Sequence, residues 1–430
     1  MKIRIDGGRL LDEQTGELYG ANVYYDDVEG RILAIGRDLP SADKTIQLDG
    51  QLVLPGFIDM HVHLRDPGFT AKETLASGVQ AAAAGGFTEV ACMPNTSPAT
   101  DTAAVVADIV GRSRDIGKAG VHPIACITVG QAGEALTDFA ALKTAGAIAL
   151  SDDGRGVQHG MRMLEAMTAA KTLEMPIVIH SEDETLSGDG VIHPDAARRL
   201  DLPGILGESE AAMIARDILL AERTGAHLHV CHVSTEQSVA LIRWGKARGV
   251  RVTAEVTPHH LLLDESIITH DDAVFKVNPP LQSERDRLAC LAGFLDGTLD
   301  IIATDHAPHT EAEKSLGIAR APFGMVGIET VFPLLYTYLV VPGIVSLPHL
   351  VWGMTRRPAD AFGLPGGSLR AGAVADIAIV DIVQERAIEP AAFYSRGRNT
   401  PFAGWQVTGW TTHTIRRGKL IYQQGEERLA

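Results

Sequence analysis

The sequence predicts an α/β fold, a (β/α)8 TIM barrel with a small β-sandwich domain built from both chain ends. Eight apolar, β-branched runs recur at fairly even spacing through the middle of the chain, and Ala/Leu-rich helical patterns separate most of them. The two ends differ from this middle, because they alternate between apolar and polar residues with Gly, Asp and Asn at turns. Alternating strands and helices predict a parallel sheet, and eight such units predict a closed barrel.

The terminal segments predict short strands joined by turns. Residues 1–53 form the N-terminal part of the predicted sandwich domain, and residues 366–430 form its C-terminal part. In the second segment ADIAIVDI predicts a strand, and THTIRRGKLIYQQG predicts a hairpin with Gly at its turn. We expect the N-terminal strands to form an antiparallel unit.

Residues 54–365 form the predicted barrel. Its eight predicted strands are GFIDMHVHL, FTEVACMPN, VHPIACITVG, AIALSDD, PIVIHSED, AHLHVCHVS, VRVTAEVTPHH and LDIIATDHAPH. The helical patterns between them include KETLASGVQAAAAGG, DTAAVVADIVGRSRDIG and ESEAAMIARDILLAERTG. A doubly wound open sheet is the structural alternative, but it normally carries a glycine-rich nucleotide loop after its first strand, and the sequence has none there.

Composition excludes several classes of protein. The 430 residues are 45% hydrophobic and 21% charged, which is typical of a globular chain and excludes a disordered one. Acidic residues exceed basic ones by 54 to 38, so the net charge of −16 disfavours nucleic acid and anionic membrane as partners. The four cysteines form no CxxC pair, and the N-terminus has no apolar signal core, so we expect a soluble cytoplasmic protein with reduced thiols.

Polar, metal-capable side chains stand at the C-terminal ends of most of the predicted strands. They are His61 and His63 on the first, Asn95 on the second, Asp152 and Asp153 on the fourth, His180 on the fifth, His232 on the sixth and Asp305 on the eighth. In a barrel these ends converge on one face. The pattern therefore predicts a single site at that face.

The residue types in this set predict metal binding. His61 and His63 lie two residues apart on a strand, so both imidazoles point the same way. Each histidine taken alone is more often a structural residue than a ligand. Four histidines and one aspartate together exceed the four ligands of one zinc, which predicts two metals and a bridging carboxylate. Strand alternation sends only one of Asp152 and Asp153 into the site, and the pattern leaves open which one.

Several motifs resemble the amidohydrolase superfamily and, more narrowly, the dihydroorotase family of the class I bacterial type. They are GFIDMHVHLRDPG, MPNT, IHSED, HVS, KVNPPL and TDHAPH, and the similarity extends over nearly the whole chain. The resemblance implies a zinc-dependent, reversible interconversion of N-carbamoyl-L-aspartate and L-dihydroorotate in de novo pyrimidine (UMP) biosynthesis.

The resemblance also implies a role for each site residue. Two zinc ions per subunit are expected, bridged by Asp153 and a hydroxide. The ligands of the more buried ion are His61, His63 and Asp305, and those of the second are His180 and His232. Many superfamily members bridge with a carboxylated lysine, but the fourth strand here has no Lys, and Lys143 lies before it at the wrong end of the barrel.

Substrate contacts follow from the same resemblance. The residues implied to hold the substrate carboxylate are Arg65, Asn95 and His309, and those implied to read the ring amides are Asn278 and the backbone of Phe323 and Gly324. Asp305 is the implied catalytic proton carrier. We expect Asp59 to orient a ligand histidine, and His306 and the pair His259 and His260 to be structural or supporting. The polar stretch 310–324 is long enough for an active-site loop.

Two alternatives remain open at this point. The first is another cyclic amidohydrolase, such as a hydantoinase, a dihydropyrimidinase or an allantoinase. Arg65 and Asn95 argue against it, because neutral hydantoins lack the carboxylate that these residues would hold. The second is a structural partner of aspartate transcarbamoylase, which should have lost metal ligands, whereas all six candidates are present here. Association with that transcarbamoylase, or a homodimer, is compatible with activity.

Overall fold

The computed structural model describes residues 1–12 and 15–429. Glu13 and Gln14, which fall inside the predicted N-terminal strand region, and Ala430 lie outside the described residues. The described chain forms two eight-stranded sheets and one two-stranded sheet. No described helix is both long enough and apolar enough to cross a membrane.

The first large sheet is the predicted barrel. Its strands are β6 (Phe57–Val62), β7 (Phe87–Cys92), β8 (Gly120–Ala125), β9 (Ala149–Leu150), β10 (Ile177–Ile179), β11 (Leu228–Val230), β12 (Val252–Val256) and β13 (Ile301–Ile302). They pair in chain order, all parallel. A parallel bridge between Val62 and His306 joins the last strand to the first. All eight predicted strands are confirmed, and the barrel class with them.

Helices follow the barrel strands, and the longer ones pack against the strands beside them. They are α1 (Leu75–Ala84), α2 (Ala103–Ile116), α3 (Phe139–Ala145), α4 (Gly160–Thr172), α5 (Glu184–Ser187), α6 (Pro194–Leu200), α7 (Glu208–Thr224), α8 (Glu236–Ala247), α9 (Pro258–Leu262), α10 (Glu284–Leu295), α11 (Glu311–Lys314), α12 (Gly317–Arg320), α13 (Val331–Leu335), α14 (Leu347–Met354) and α15 (Arg356–Phe362). Thr74 begins α1 with a capping box, and Gly225 ends α7 in the left-handed conformation. These short connections return the chain to the next strand, so that every strand enters the barrel from the same end.

The second large sheet takes strands from both chain ends. They are β1 (Lys2–Leu11), β2 (Leu18–Asp26), β3 (Arg31–Gly36), β4 (Lys44–Gln47), β5 (Leu52–Pro55), β14 (Ile377–Asp381), β17 (Trp410–Arg416) and β18 (Lys419–Gln423). The predicted hairpin is confirmed, because β17 and β18 pair antiparallel around Gly418. The prediction of a purely antiparallel N-terminal unit is wrong, since β4 and β5 both pair parallel with β1.

The C-terminal segment also reaches the barrel. Strands β15 (Arg386–Ala387) and β16 (Gln406–Val407) form the small sheet, and the residues between them pack on the loops above the barrel. The stretch 310–324 is not a structureless loop, because α11 and α12 lie within it and Thr310 caps α11 through a capping box with Glu313. Both segments border the face where the predicted site residues converge.

Candidate metal centre and active site

The predicted site residues converge on one cavity of about 150 Å³ at the C-terminal ends of the barrel strands. It is lined by His63, Arg65, Asn95, Asp153, Gly154, His180, His232, Asn278, Asp305, Ala307, His309, Phe323 and Gly324. His61 lies beneath it and has no exposed surface. A cavity of this volume admits only a small molecule.

Asp305 stands beside both histidines of the first strand. Its Oδ1 atom lies 3.0 Å from Nε2 of His63 and 3.4 Å from Nε2 of His61. Burial alone would raise the pKa of Asp305, but His61 and His63 overcome this effect and hold the pKa well below its ordinary value. The carboxyl group is therefore held as a carboxylate, the form that can bind a metal or accept a proton.

Asp153 lies between the two halves of the histidine cluster. Its Oδ1 is 3.5 Å from Nε2 of His61 and 3.9 Å from Nδ1 of His180, while its Oδ2 is 3.7 Å from Nε2 of His63. Asp152 points away, because its carboxylate accepts bonds from the amides of Ile127 and Thr128 at 2.9 and 3.0 Å. The structure thus brings the aspartate chosen by resemblance into the cluster and gives the other a role in holding a loop.

His180 and His232 complete the cluster. Nδ1 of His180 lies 3.0 Å from Nε2 of His232, and both imidazoles are buried. Burial, together with the neighbouring His180 and His61, lowers the pKa of His232 well below its ordinary value. A neutral imidazole is the form that binds a metal.

The cluster fits a cation. Among the described residues, Nε2 of His61 and Oδ1 of Asp153 are buried without a hydrogen-bond partner, and they face each other. Orphaned buried polar atoms are costly unless an ion or water satisfies them. In the part of the chain that the structure describes, three groups of three that include His61 could hold a metal. Two of them face the cavity, namely His61, His63 and Asp305, and His61, Asp153 and His232, while the third joins His61 to Cys231 and Glu255. Imidazole nitrogens and carboxylate oxygens are ligands that suit zinc.

Backbone strain marks three of these positions. Arg65, His232 and Asp305 have φ angles of 58°, 30° and 48°, in the left-handed region that few side chains other than Gly adopt. Such conformations persist where the surrounding structure imposes them, and they concentrate at functional sites. They support the assignment of this cavity as the site.

The rim of the cavity carries positive charge. Arg65 donates from Nε to the carbonyl of Pro308 at 3.3 Å, and burial lowers its pKa to about 10, which leaves it charged at neutral pH. His309 donates from Nε2 to the carbonyl of Phe323 at 2.7 Å and accepts at Nδ1 from Lys72 at 3.3 Å. Burial and the cations Arg65, Lys314 and Lys72 lower the pKa of His309 well below its ordinary value, so the positive charge that lines the cavity belongs to Arg65.

Comparisons with known proteins give a consistent result. The family described as Dihydro-orotase-like matches residues 50–238. A dihydroorotase of Anoxybacillus flavithermus is 53% identical over 420 residues, covering 97% of each chain, and one of Geobacillus sp. strain WCH70 is 56% identical over 401 residues, covering 93% of this chain and 94% of the relative. The chain belongs to the dihydroorotase family.

The same fold occurs in solved structures of a neighbouring family. An L-hydantoinase (dihydropyrimidinase) from Arthrobacter aurescens superimposes with a TM-score of 0.88 at 25% identity, covering 99% of this chain and 97% of that one. Its identity to this chain is half that of the dihydroorotases. The amidohydrolase barrel is therefore shared by the two families, while the higher sequence identity is to the dihydroorotases.

Asn95 and Asn278 form hydrogen bonds to neighbouring side chains of the site. Asn95 accepts at Oδ1 from Nδ1 of His63 at 2.9 Å and donates from Nδ2 to Asp153 at 3.3 Å. The first bond fixes the tautomer of His63 and leaves its Nε2 for Asp305 and the cluster. Asn278 donates to Oε2 of Glu182 at 2.8 Å. Both asparagines line the cavity, so they are available to a substrate as well.

The backbone of Phe323 and Gly324, which we predicted to contact the substrate ring, already forms hydrogen bonds within the protein. The Phe323 carbonyl accepts from His309, and the Gly324 amide donates to the carbonyl of Lys276 at 2.9 Å. Gly324 needs to be glycine, because its φ is 127° and a Cβ would lie 2.6 Å from that of Ala307. This turn is thus held tightly by the protein before any substrate arrives.

Sequence reasoning missed a carboxylate beneath the cluster. Glu255 on β12 lies 2.6 Å from Nδ1 of His61 and 3.0 Å from Nε2 of His229. Asp59, which we expected to orient a ligand imidazole, instead accepts from the amides of His61 and Thr304 at 3.1 and 3.2 Å. A single Glu in the apolar run VRVTAEV was the signal, because a buried carboxylate must be paired.

Proposed function

We propose that the chain catalyses the reversible interconversion of N-carbamoyl-L-aspartate and L-dihydroorotate as a class I bacterial dihydroorotase. Dihydroorotase activity follows from its family. One observation supports the substrate most directly: the charged Arg65 and the ionised Asp305 line the same small cavity. Arg65 can bind a ring carboxylate bidentately while Asp305 lies beside the reacting amide.

We propose two zinc ions as cofactors. His61, His63 and Asp305 would hold one, His180 and His232 the other, and Asp153 lies where it can bridge both. When bound, the metals would activate a water and polarise the scissile carbonyl as Lewis acids. Metal dependence is general in the family, and the orphaned atoms of His61 and Asp153 support it in this chain.

Asp305 carries the proton in the proposed reaction. In the hydrolytic direction it accepts a proton from the attacking water and delivers it to the ring nitrogen that leaves. Its Oδ1 lies 3.0 Å from Nε2 of His63, which places the carboxylate at the wall of the cavity. Ring closure uses the same residues in reverse, as microscopic reversibility requires. Meanwhile Arg65 holds the substrate carboxylate, so that the amide stays next to Asp305.

The decisive experiment is an assay of dihydroorotate hydrolysis together with metal analysis of the purified protein. We expect turnover of dihydroorotate, two zinc ions per chain and no turnover of hydantoin. One zinc per chain with full activity would support the proposed reaction but contradict the bridging role of Asp153. Turnover of hydantoin but not of dihydroorotate would instead assign the chain to the hydantoinase type.

Further features are proposed with this function. We propose a place in de novo pyrimidine synthesis. We also propose a cytoplasmic location, which the four free, buried cysteines support.

We further propose a domain division into a barrel over 54–365 and a β-sandwich from 1–53 and 366–430, although β5 extends to Pro55. Gel filtration alone and with aspartate transcarbamoylase tests the homodimer and that association.

A further inference from the structure

Three successive carbonyl groups at the mouth of the cavity are each bound by a side chain. The carbonyl of Pro322 accepts from Nζ of Lys314 at 2.9 Å, and that of Phe323 accepts from Nε2 of His309 at 2.7 Å. The carbonyl of Gly324 accepts from Nδ2 of Asn399 at 3.1 Å. We call residues 322–324 the mouth turn. Consecutive carbonyls of an irregular segment are seldom all bound by side chains from three separate positions, since most backbone groups pair with backbone or water.

Lys314 connects the mouth turn to the segment before Asn278. Besides Pro322, its Nζ donates to the carbonyls of Ala273 and Lys276 at 3.0 and 3.3 Å. Burial near Lys276 and Arg65 lowers its pKa to about 7, whereas three carbonyl acceptors favour the ammonium, the form with three donors. The side chain thus uses its whole donor capacity to join two stretches of backbone, and it makes no contribution to the cavity wall.

Asn399 connects the mouth turn to His309. Its Nδ2 donates to the carbonyls of Gly324 and Ala307, both at 3.1 Å, and its Oδ1 accepts from the amide of His309 at 3.1 Å. Asn399 is 7% exposed and comes from the C-terminal segment, 90 residues beyond His309. Its amide group therefore fixes both sides of the cavity mouth relative to each other.

We propose that Lys314 and Asn399 are positioning residues for substrate recognition, which act by holding the mouth turn and His309 in their binding arrangement. This inference rests on the proposed function. Neither side chain lines the cavity, while Phe323, Gly324 and His309 do. A wall that is fixed before binding spares the substrate the entropic cost of ordering it. Because the wall contacts ground state and transition state alike, its loss should raise KM more than it lowers kcat.

The test compares Lys314→Met, Asn399→Asp and a matched control. Asn399→Asp keeps the acceptor for the His309 amide but loses both donors. Lys246→Met is the control, because Lys246 also donates to a backbone carbonyl, that of Gly297 at 3.0 Å, but lies away from the cavity. We expect KM for dihydroorotate to rise about tenfold in both test variants with kcat changed less than about threefold. Lys314→Arg should recover part of the loss.

Hydrogen exchange supplies a readout that does not need turnover. The Gly324 amide should exchange faster in Lys314→Met and Asn399→Asp, but not in Lys246→Met. An unchanged KM, or an equal fall of kcat and kcat/KM, would overturn the positioning role. A thermal midpoint of the test variants far below that of Lys246→Met, with faster exchange throughout the chain, would also overturn it. If the wild-type protein itself fails to hydrolyse dihydroorotate, the proposed function is wrong, and the role of the two residues in recognition is wrong with it. Exchange at the Gly324 amide then still reports whether Lys314 and Asn399 hold the mouth turn.

Discussion

Glu255 and His61 form a short buried contact beneath the candidate metal cluster, with Oε1 of the carboxylate 2.6 Å from Nδ1 of the imidazole. Burial alone would raise the pKa of Glu255, but His61 and His229 hold it well below its ordinary value, so the group is a carboxylate. It therefore accepts a hydrogen bond from Nδ1 of His61, so that in the neutral, metal-binding form of the imidazole the proton stays on Nδ1 and Nε2 is the atom that faces Asp153 and Asp305. The orientation and tautomer of the most buried candidate ligand thus depend on a residue that never reaches the cavity.

Replacing Glu255 by Gln should weaken metal binding. The amide can no longer accept from both His61 and His229, and it lacks the charge that makes His61 a better ligand. We expect zinc affinity to fall by about 10- to 100-fold, as for other carboxylates behind ligand histidines. Competition with a chelator, followed by metal analysis, measures this directly.

The control for this prediction is Glu89→Gln. Glu89 is likewise a buried barrel carboxylate paired with a histidine, His122 at 2.8 Å, but it lies outside the metal cluster. Its loss should cost stability and leave zinc affinity unchanged. Equal zinc affinity in the Glu255 variant and the wild type would show that another group orients His61.

Asp305→Asn should leave a folded barrel that turns over very slowly. The amide keeps the size of the side chain but cannot accept a proton from water or pass one to the ring nitrogen. We expect kcat to fall by about 10²- to 10⁴-fold, the usual range for a general acid–base residue. Asp217→Asn removes a buried carboxylate paired with Arg216, away from the cavity, and should retain kcat. Near-normal turnover in Asp305→Asn would end its role in proton transfer.

Most of the barrel strands, and the candidate metal ligands at their ends, could be predicted from the sequence. His61 and His63 could be placed on one side of a strand by period alone, and Asp305 had to be paired because the run before it is apolar. The choice of Asp153 over Asp152 was different, since alternation left it open and only the family pattern decided it. The structure explains that choice, because Asp152 binds the amides at Ile127 and Thr128.

Contacts between distant segments could not be predicted in this way. Asn399 reaches the site from the C-terminal segment, and Lys314 is bound by backbone carbonyls, which carry no sequence signal. The same limit applies to β4 and β5, since strand propensity gives no direction of pairing. The hydrogen bonds of His309 could not be predicted either, because its two ring nitrogens contact the Phe323 carbonyl and Lys72, neither of which belongs to the TDHAPH motif.

Arg65→Lys should separate charge from geometry at the rim. Lysine keeps the positive charge but loses the planar fork that binds a carboxylate through two parallel bonds. We expect KM for dihydroorotate to rise by about 10- to 100-fold with a smaller effect on kcat, which corresponds to one lost charged hydrogen bond. Arg112→Lys is the matched control, because Arg112 forms a bidentate pair with Asp66 outside the cavity. An unchanged KM would remove Arg65 from carboxylate binding.

Asp376→Asn should stabilise the protein at alkaline pH. Burial, with the nearby Glu89, raises the pKa of Asp376 to about 6, above the value of about 3.9 in an unfolded chain. The protonated form is therefore favoured in the fold, and stability is lost as pH rises from about 4 through 6, by up to about 3 kcal/mol. Asparagine stays neutral and can still accept from the Arg417 amide at 2.6 Å. Calorimetry should show a higher midpoint than wild type at pH 8 and an equal one at pH 4, whereas equal midpoints at both would mean that Asp376 is ionised in the fold without cost.

The assigned reaction consumes a proton when the ring closes. N-carbamoyl-L-aspartate carries two carboxylates, and closure converts one of them to a neutral amide with release of water. The equilibrium ratio of dihydroorotate to carbamoyl aspartate should therefore fall about tenfold for each unit rise in pH, as long as both carboxylates are ionised. Incubating the enzyme from either side until the ratio is constant, at several pH values, measures this. Because a catalyst cannot shift an equilibrium, a ratio that did not change with pH would show that the products formed in this cavity are not those of dihydroorotate hydrolysis.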